Sequence, residues 1–189
     1  MKRIVIAEDQ PIARMDITEI LTEANYDVVG TVSDGFDAIE ICRKLNPDLI
    51  LMDIKMPLLD GLKAAKLIIK EELAGCVVLL TAYSTKEFIE EAINIGVMGY
   101  LVKPVTEEFL LPAIEVALSN TEELKRMKKN IRQIEEKLEN RKLIERAKGL
   151  LMQNEGLSEE AAYKQIRRLS MDKRLSMANI AKLIIMGGQ

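Results

Sequence analysis

The 189-residue sequence predicts an α/β fold, a doubly wound five-stranded parallel sheet over residues 1–119, followed by helices. Three observations predict it. Short apolar runs are continuous rather than alternating, as in parallel strands buried on both faces. Stretches of about 10–14 residues with helical periodicity lie between these runs, which is typical of βαβ crossovers. After residue 119 no strand pattern remains, so we expect only helices there.

The predicted strands are rich in Val, Ile and Leu and cover residues 3–7, 27–31, 49–52, 76–80 and 99–102. Each of the first four predicted helices has an apolar face. These faces are formed by Ile12, Met15, Ile20 and Leu21, then Ala38, Ile41, Cys42 and Leu45, then Leu62, Ala65, Leu67 and Ile69, and then Phe88, Ile89, Ala92 and Ile95. Pro112 falls inside the fifth predicted helix, where we expect a kink or a late start.

Residues 120–140 form a second predicted segment, because apolar residues recur there at alternating spacings of three and four. This heptad seam consists of Leu124, Met127, Ile131, Ile134 and Leu138. Such a pattern is typical of a dimeric coiled coil. The alternative is a signalling helix that packs on its own domain.

Residues 141–189 are predicted to form a module of three helices. Gly156 suits the end of the first helix, while Ser158 and Ser176 suit the start of the second and third. Because so short a module buries only a thin core, we expect it to pack on the preceding helix or on a partner chain.

Charge is distributed unevenly along the chain. Residues 1–120 carry a net charge of −9, whereas residues 121–189 carry +6. This asymmetry favours two domains with different partners. The chain has no His and only Cys42 and Cys76, which suits a reducing cytosol. We find neither a signal peptide nor an apolar run long enough for a bilayer, and therefore expect a soluble cytoplasmic protein without a membrane partner.

Polar residues follow four of the predicted strands. Glu8 and Asp9 follow the first, Asp53 the third, Thr81 the fourth and Lys103 the fifth. The carboxyl ends of parallel strands form the ligand-binding edge of such a sheet. Crowded carboxylates repel one another, and an all-oxygen set without His or Cys selects a hard cation, so we expect Mg²⁺.

A carboxylate in such a site can attack phosphorus and form an acyl phosphate. Asp53 is the best candidate for this phosphoacceptor, because it leaves the predicted central strand. Lys103 would contribute a positive charge to the phosphoryl oxygens, and the Thr81 hydroxyl would donate a hydrogen bond to one of them. A lone Asp after a strand is more often a helix cap. The hypothesis therefore depends on all five residues lying together at the ends of successive strands.

These residues, with Met56-Pro57, Asp60-Gly61, Thr81-Ala82 and the segment from Gly99 to Pro104, resemble the receiver domain of two-component response regulators, which has a flavodoxin-like fold. The resemblance implies that Asp53 takes a phosphoryl group from a sensor histidine kinase. It implies Mg²⁺ on Glu8, Asp9, Asp53 and the main-chain carbonyl of Lys55, and a cis Lys103–Pro104 bond. It also implies that Thr81 and Tyr100 move inward together as a switch pair. Glu8 departs from the family, many members of which carry Asp there.

The segment from Arg146 to Met152, with Gly156, Ser158 to Tyr163, Ile166-Arg167 and Ile180-Ala181, resembles the ANTAR domain. That resemblance implies binding of RNA hairpins in transcription antitermination. The residues that we expect to contact RNA are Lys148, Arg167, Arg168, Lys173 and Arg174. Tyr163 has two possible roles, packing in the core or stacking on a base. The whole chain looks like an ANTAR response regulator, of the ethanolamine-utilisation type.

The sequence therefore predicts an antiterminator that is phosphorylated on Asp53, forms a homodimer and binds hairpins in a nascent leader transcript. One alternative is a DNA-binding regulator, although residues 177–186 are too apolar for a recognition helix. Another is a protein-interaction output. An independent enzyme is disfavoured, because the sequence shows no Walker loop and no nucleophile–base pair outside the acidic pocket. The only chemistry expected is autophosphorylation and autodephosphorylation of Asp53.

Overall fold

The computed structural model describes residues 1–82 and 86–187, without the side chains of residues 86–88. The Phe88 side chain, which we expect on the apolar face of the fourth helix, therefore lies outside the described residues. So does Gly188, where with Gly187 we expect the last helix to end. The elements are β1 Arg3–Ala7, α1 Pro11–Glu23, β2 Asp27–Val32, α2 Gly35–Leu45, β3 Leu49–Asp53, α3 Gly61–Lys70, β4 Val77–Thr81, α4 Lys86–Ile95, β5 Gly99–Val102, α5 Glu107–Glu155, α6 Glu159–Lys173 and α7 Met177–Gly187.

The five strands form one parallel sheet in the order β2-β1-β3-β4-β5. This confirms the predicted doubly wound fold. The strand order reverses at β1 and β3, the switch point of such a sheet. Because β3 lies between β1 and β4, the chain segments that leave these three strands start side by side.

The central strands β1, β3 and β4 are almost fully buried. Alternate residues of each strand contribute to two hydrophobic clusters, one with α2, α3 and α4 and the other with α1 and α5. The prediction of burial on both faces is wrong for the edge strands β2 and β5, which are partly exposed. An edge strand has a neighbouring strand on one side only, so helices cover it less completely.

Local signals set the helix starts. An Asp60 side-chain oxygen accepts a hydrogen bond from the Lys63 N–H at 3.0 Å and caps α3. The hydroxyls of Ser158 and Ser176 accept bonds from the third N–H of α6 and α7, at 3.2 and 3.1 Å, which confirms both predicted caps. Gly156 follows α5 with a φ of +65°, a conformation that favours glycine after a helix end.

Helix α5 begins at Glu107, before Pro112, so the predicted late start is wrong. Proline removes one backbone hydrogen bond, but Leu110 and Ile114 are fully buried on either side of it and hold the helix against the sheet. The helix continues to Glu155 and crosses both predicted domain boundaries. The chain divides into two compact units, residues 1–125 and 126–189. The boundaries after residues 119 and 140 stay predictions.

The second unit has a small core of its own. It joins Ala147 and Leu151 of α5, Ala162 and Ile166 of α6, and Ile180 and Ala181 of α7. These are the inward faces that the helical periodicity predicts. Among the described residues, no helix is both long and apolar enough to span a membrane.

Candidate functional site

The carboxyl edge of the sheet brings the predicted acidic residues together. Glu8 and Asp9 follow β1, and Asp53 is the last residue of β3. One carboxylate oxygen from each of these three residues lies within 4.8 Å of the other two. They adjoin a cavity of about 250 Å³, which is lined by Asp9, Gln10, Asp53, Ile54, Lys55, Thr81, Ala82 and Lys103.

Lys103 connects two of the carboxylates. Its Nζ lies 2.7 Å from Asp53 Oδ2 and 2.6 Å from Glu8 Oε2, and its side chain is only 17% exposed. Burial disfavours the charged ammonium, but the hydrogen bonds and charges of Asp53 and Glu8 outweigh it and raise the pKa of Lys103. Burial likewise raises the pKa of Glu8, although Lys103 opposes the shift. Lys103 is thus held as a cation between two acids.

The remaining oxygens of the cluster fit a divalent cation. Within the described part of the chain, Asp9 Oδ1 is buried without a hydrogen bond. Two unit negative charges about 4 Å apart cost about 4 kcal/mol at an effective dielectric near 20. An all-oxygen donor set with a surplus of negative charge suits a hard ion such as Mg²⁺.

The segment after Asp53 folds back tightly against it. A Cβ on Gly61 would lie 2.0 Å from the Asp53 carbonyl oxygen, so only glycine fits there. The Gly61 N–H donates to the Ile54 carbonyl at 2.8 Å, and the Lys55 N–H lies 3.3 Å from Asp53 Oδ1. Close backbone packing at the start of α3 therefore fixes the loop that carries Asp53 and Lys55.

Two residues that sequence reasoning missed hold Glu8. Arg14 Nη1 donates to the Glu8 main-chain carbonyl at 2.5 Å, and the Gln10 N–H donates to Glu8 Oε1 at 3.2 Å. The periodicity of the first helix gave no signal for Arg14, because its partner is a backbone atom. These contacts fix the turn that carries the acidic pair.

Thr81 and Tyr100 occupy different environments. Thr81 is 5% exposed at the end of β4, and its carbonyl accepts a bond from the Lys103 N–H at 2.8 Å. Tyr100 is 43% exposed on β5, two residues before Val102, which pairs with Thr81. The Lys103–Pro104 peptide bond is cis, as expected. The switch role of Thr81 and Tyr100 stays a prediction.

The predicted seam residues all lie on α5 and are between 43% and 65% exposed, namely Leu124, Met127, Ile131, Ile134 and Leu138. Such a row of large apolar side chains on one chain is consistent with a helical partner. Dimerisation through this seam stays a prediction.

The predicted RNA contacts fall into two groups. Arg167, Arg168, Lys173 and Arg174 are exposed. Lys148 is only 7% exposed, and its Nζ lies 2.8 Å from Glu145 Oε2 and 2.7 Å from Glu159 Oε1. Its charge is already neutralised, so the geometry argues against Lys148 as an RNA contact. It instead joins α5 to α6.

Comparison with protein families gives two matches. The response regulator receiver domain matches residues 4–115, a span that contains the whole acidic site. The ANTAR domain matches residues 132–185, a span that contains α6 and most of α7.

Known relatives agree with this division. The chain is 42% identical to the transcriptional regulatory protein PdtaR of Mycobacterium tuberculosis over 184 residues, which are 97% of this chain and 89% of that protein. The solved receiver domain of the response regulator NarL from the same species is 28% identical, with a TM-score of 0.59, and the match covers 62% of this chain and 96% of that one. The receiver domain of the sensor histidine kinase PA1611 from Pseudomonas aeruginosa is 27% identical, with a TM-score of 0.56, and the match covers 62% and 98% of the two chains. That structure holds a magnesium ion in its active-site cleft.

Proposed function

Because the chain belongs to the two-component response regulators that join a receiver domain to an ANTAR domain, we propose that phosphorylation of Asp53 controls its RNA-binding output. The observation that carries the proposal is the cluster of Glu8, Asp9 and Asp53, bridged by Lys103 beside a cavity of about 250 Å³. The further expectation of an ethanolamine-utilisation type stays a prediction.

The donor is a phosphohistidine on a sensor histidine kinase. An Asp53 carboxylate oxygen attacks the phosphorus, the new O–P bond forms, and the P–N bond to the imidazole breaks. Glu8, Asp9, Asp53 and the main-chain carbonyl of Lys55 would hold Mg²⁺, which supplies charge neutralisation for the phosphoryl group. Lys103, already placed between Glu8 and Asp53, adds a positive charge at the same edge.

The signal then passes to the helical part of the chain. The Thr81 hydroxyl binds a phosphoryl oxygen, Tyr100 moves inward, and the surface formed by α4, β5 and α5 changes. This change favours a homodimer through the seam from Leu124 to Leu138, where the exposed apolar side chains become buried. The ANTAR modules then hold hairpins in a nascent leader transcript, and these compete with a terminator.

The test compares the full chain with two variants in acetyl phosphate and Mg²⁺. Wild-type protein and Asp16→Asn, which removes an exposed carboxylate from α1, are expected to gain one phosphoryl group that is labile to base and to hydroxylamine. Asp53→Ala is expected to gain none, and excess chelator is expected to suppress the reaction in wild type and in Asp16→Asn. Mass spectrometry of the intact protein measures the modification.

The same samples test the output. Phosphorylated wild-type protein is expected to form dimers in sedimentation and to bind members of a pool of short hairpin RNAs with randomised loops. If Asp53→Ala shows the same donor-stimulated dimerisation and RNA binding, the proposal is wrong. Stronger binding to duplex DNA than to any hairpin RNA would also contradict it.

A further inference from the structure

The cations of the second unit are not equally available to a ligand. Lys148 is paired with Glu145 and Glu159, Lys164 Nζ lies 2.7 Å from Glu160, and Arg168 lies 3.8 Å from Asp172. By contrast, Arg167, Lys173 and Arg174 form no ion pair with any described residue and are exposed. These three residues lie on α6 or at its C-terminal end. These three cations are therefore available to contact a negatively charged ligand.

An aromatic side chain lies beside one of these cations. Ala162 and Ile166 of α6 are fully buried, whereas Tyr163 and Arg167, the next residue after each, are exposed. Tyr163 is 43% exposed, and it is not among the residues that form or pack against the small core of this unit. Residues four apart on a helix are neighbours, with Cβ atoms about 5–6 Å apart. Tyr163 and Arg167 thus form an exposed pair of planar side chains.

We propose that Tyr163 and Arg167 form a stacking site for unpaired bases in the loop of an RNA hairpin, with Lys173 and Arg174 binding the adjacent phosphates. This inference rests on the proposed function and specifies how its RNA is recognised. Unpaired loop bases stack on tyrosine rings and on arginine guanidinium planes, and this is the usual route to sequence recognition in RNA. Paired bases in a stem offer no free face for such stacking.

Charge favours RNA over a protein partner. Residues 126–189 carry 15 Lys and Arg against 8 Asp and Glu, so this unit attracts a polyanion. Met171, eight residues after Tyr163 on the same helix, is 64% exposed and offers an apolar edge for a second base. An aromatic ring with unpaired cations on the same helix suits stacked bases and their phosphates better than a purely hydrophobic docking peptide.

The experiment uses the full phosphorylated chain and a hairpin RNA from the randomised-loop pool, with 2-aminopurine in its loop. Tyr163→Ala and Tyr163→Leu are each expected to weaken binding about tenfold or more, whereas Tyr163→Phe binds like wild type. Arg167→Ala is expected to weaken binding, and Arg167→Lys restores only part of it, because lysine lacks the plane. The matched control is Lys164→Ala, which removes a cation of α6 already paired with Glu160, and it changes binding little.

The fluorescence of 2-aminopurine separates stacking from other roles. We expect quenching by wild type and by Tyr163→Phe, and its loss in Tyr163→Leu. If Tyr163→Leu binds and quenches like wild type, the ring is not a stacking surface and the inference is wrong. If Tyr163→Ala and Arg167→Ala both bind like wild type, the inference fails while the proposed function stands. If phosphorylated wild-type protein binds no hairpin, the proposed function fails as well.

Discussion

The acidic residues at the sheet edge are placed for chemistry at a cost in stability. Glu8 and Asp53 share the one ammonium of Lys103, and Asp9 Oδ1 is buried without a hydrogen bond in the described part of the chain. Three negative charges thus face one positive charge, and the remaining repulsion opposes folding. Functional sites often carry such unfavourable arrangements.

Asp9→Asn is expected to stabilise the protein in the absence of divalent cations by about 1 kcal/mol, because it removes one of these repulsive charges. The same change is expected to reduce the stabilisation that Mg²⁺ gives, since a ligand oxygen of the cluster loses its charge. Urea unfolding with and without MgCl₂ measures both effects, with Asp16→Asn as the control. A destabilised Asp9→Asn variant with an undiminished response to Mg²⁺ would contradict the prediction.

Lys148 gives a second prediction for a single residue. The hydrogen bond and charge of its ammonium lower the pKa of Glu159. Since the folded-state pKa lies below the unfolded value, the pair stabilises the protein at neutral pH and loses this effect as the pH falls below about 4.5. The difference in melting temperature between wild type and Glu159→Gln should therefore shrink as the protein is acidified. Glu136→Gln, an exposed change on α5, should show no such trend.

The acidic pocket was predictable because strand ends in a parallel sheet meet at one edge. Glu8, Asp9, Asp53 and Lys103 follow from where the apolar runs stop. The contact of Arg14 with the Glu8 carbonyl and the two ion pairs of Lys148 were not predictable. Such pairings depend on how side chains meet in three dimensions, which composition and spacing do not specify.

At the scale of elements, the start of α3 determines how closely the chain passes Asp53. Gly61→Ala is expected to destabilise the receiver by about 1–3 kcal/mol, because the new Cβ would displace the Asp53 backbone. It should also slow phosphorylation by acetyl phosphate, since the displaced segment carries Asp53, the proposed phosphoacceptor. Denaturant unfolding and the rate of phosphorylation measure the two effects. Gly149→Ala, where a Cβ has no neighbour within 4 Å, is the control. It should not lower stability, because alanine is favoured over glycine inside a helix, and it should leave phosphorylation unchanged.

The seam on α5 gives a prediction about association. Ile131→Asp combined with Ile134→Asp should abolish dimerisation of the phosphorylated protein, because each charge would be buried between helices. Lys129→Asp places the same charge on the opposite side of the helix and should leave the dimer intact. Analytical ultracentrifugation measures the outcome. A dimer that persists in the double variant would assign association to another surface.

Strand and helix types followed from the sequence, whereas two details of the elements did not. Continuous apolarity identified all five strands but failed to distinguish the partly exposed β2 and β5 from the buried central strands. Pro112 suggested a kink or a late start of its helix, yet the helix begins at Glu107, and buried Leu110 and Ile114 hold it against the sheet on both sides of the proline. Tertiary packing outweighed the local preference in each case.

For the molecule as a whole, the charge of the basic half predicts that RNA binding weakens as the salt concentration rises. If RNA binding neutralises about four phosphates, log K should fall with log salt concentration with a slope near −3. Lys173→Ala should reduce that slope by roughly 0.7, because it removes one phosphate contact, whereas Arg167→Ala should leave the slope nearly unchanged, because Arg167 acts by stacking. Fluorescence anisotropy across a KCl series measures the slope. A salt-independent affinity would contradict an electrostatic mode of binding.

The single helix from Glu107 to Glu155 also limits how such proteins can be recombined. Inserting seven residues between the receiver and the ANTAR module adds about two turns and keeps the apolar seam on one side. Inserting two or five residues instead rotates one half of the seam by about 140–160° relative to the other, at about 100° per residue. Functional chimaeras between members of this family should therefore be joined in whole heptads.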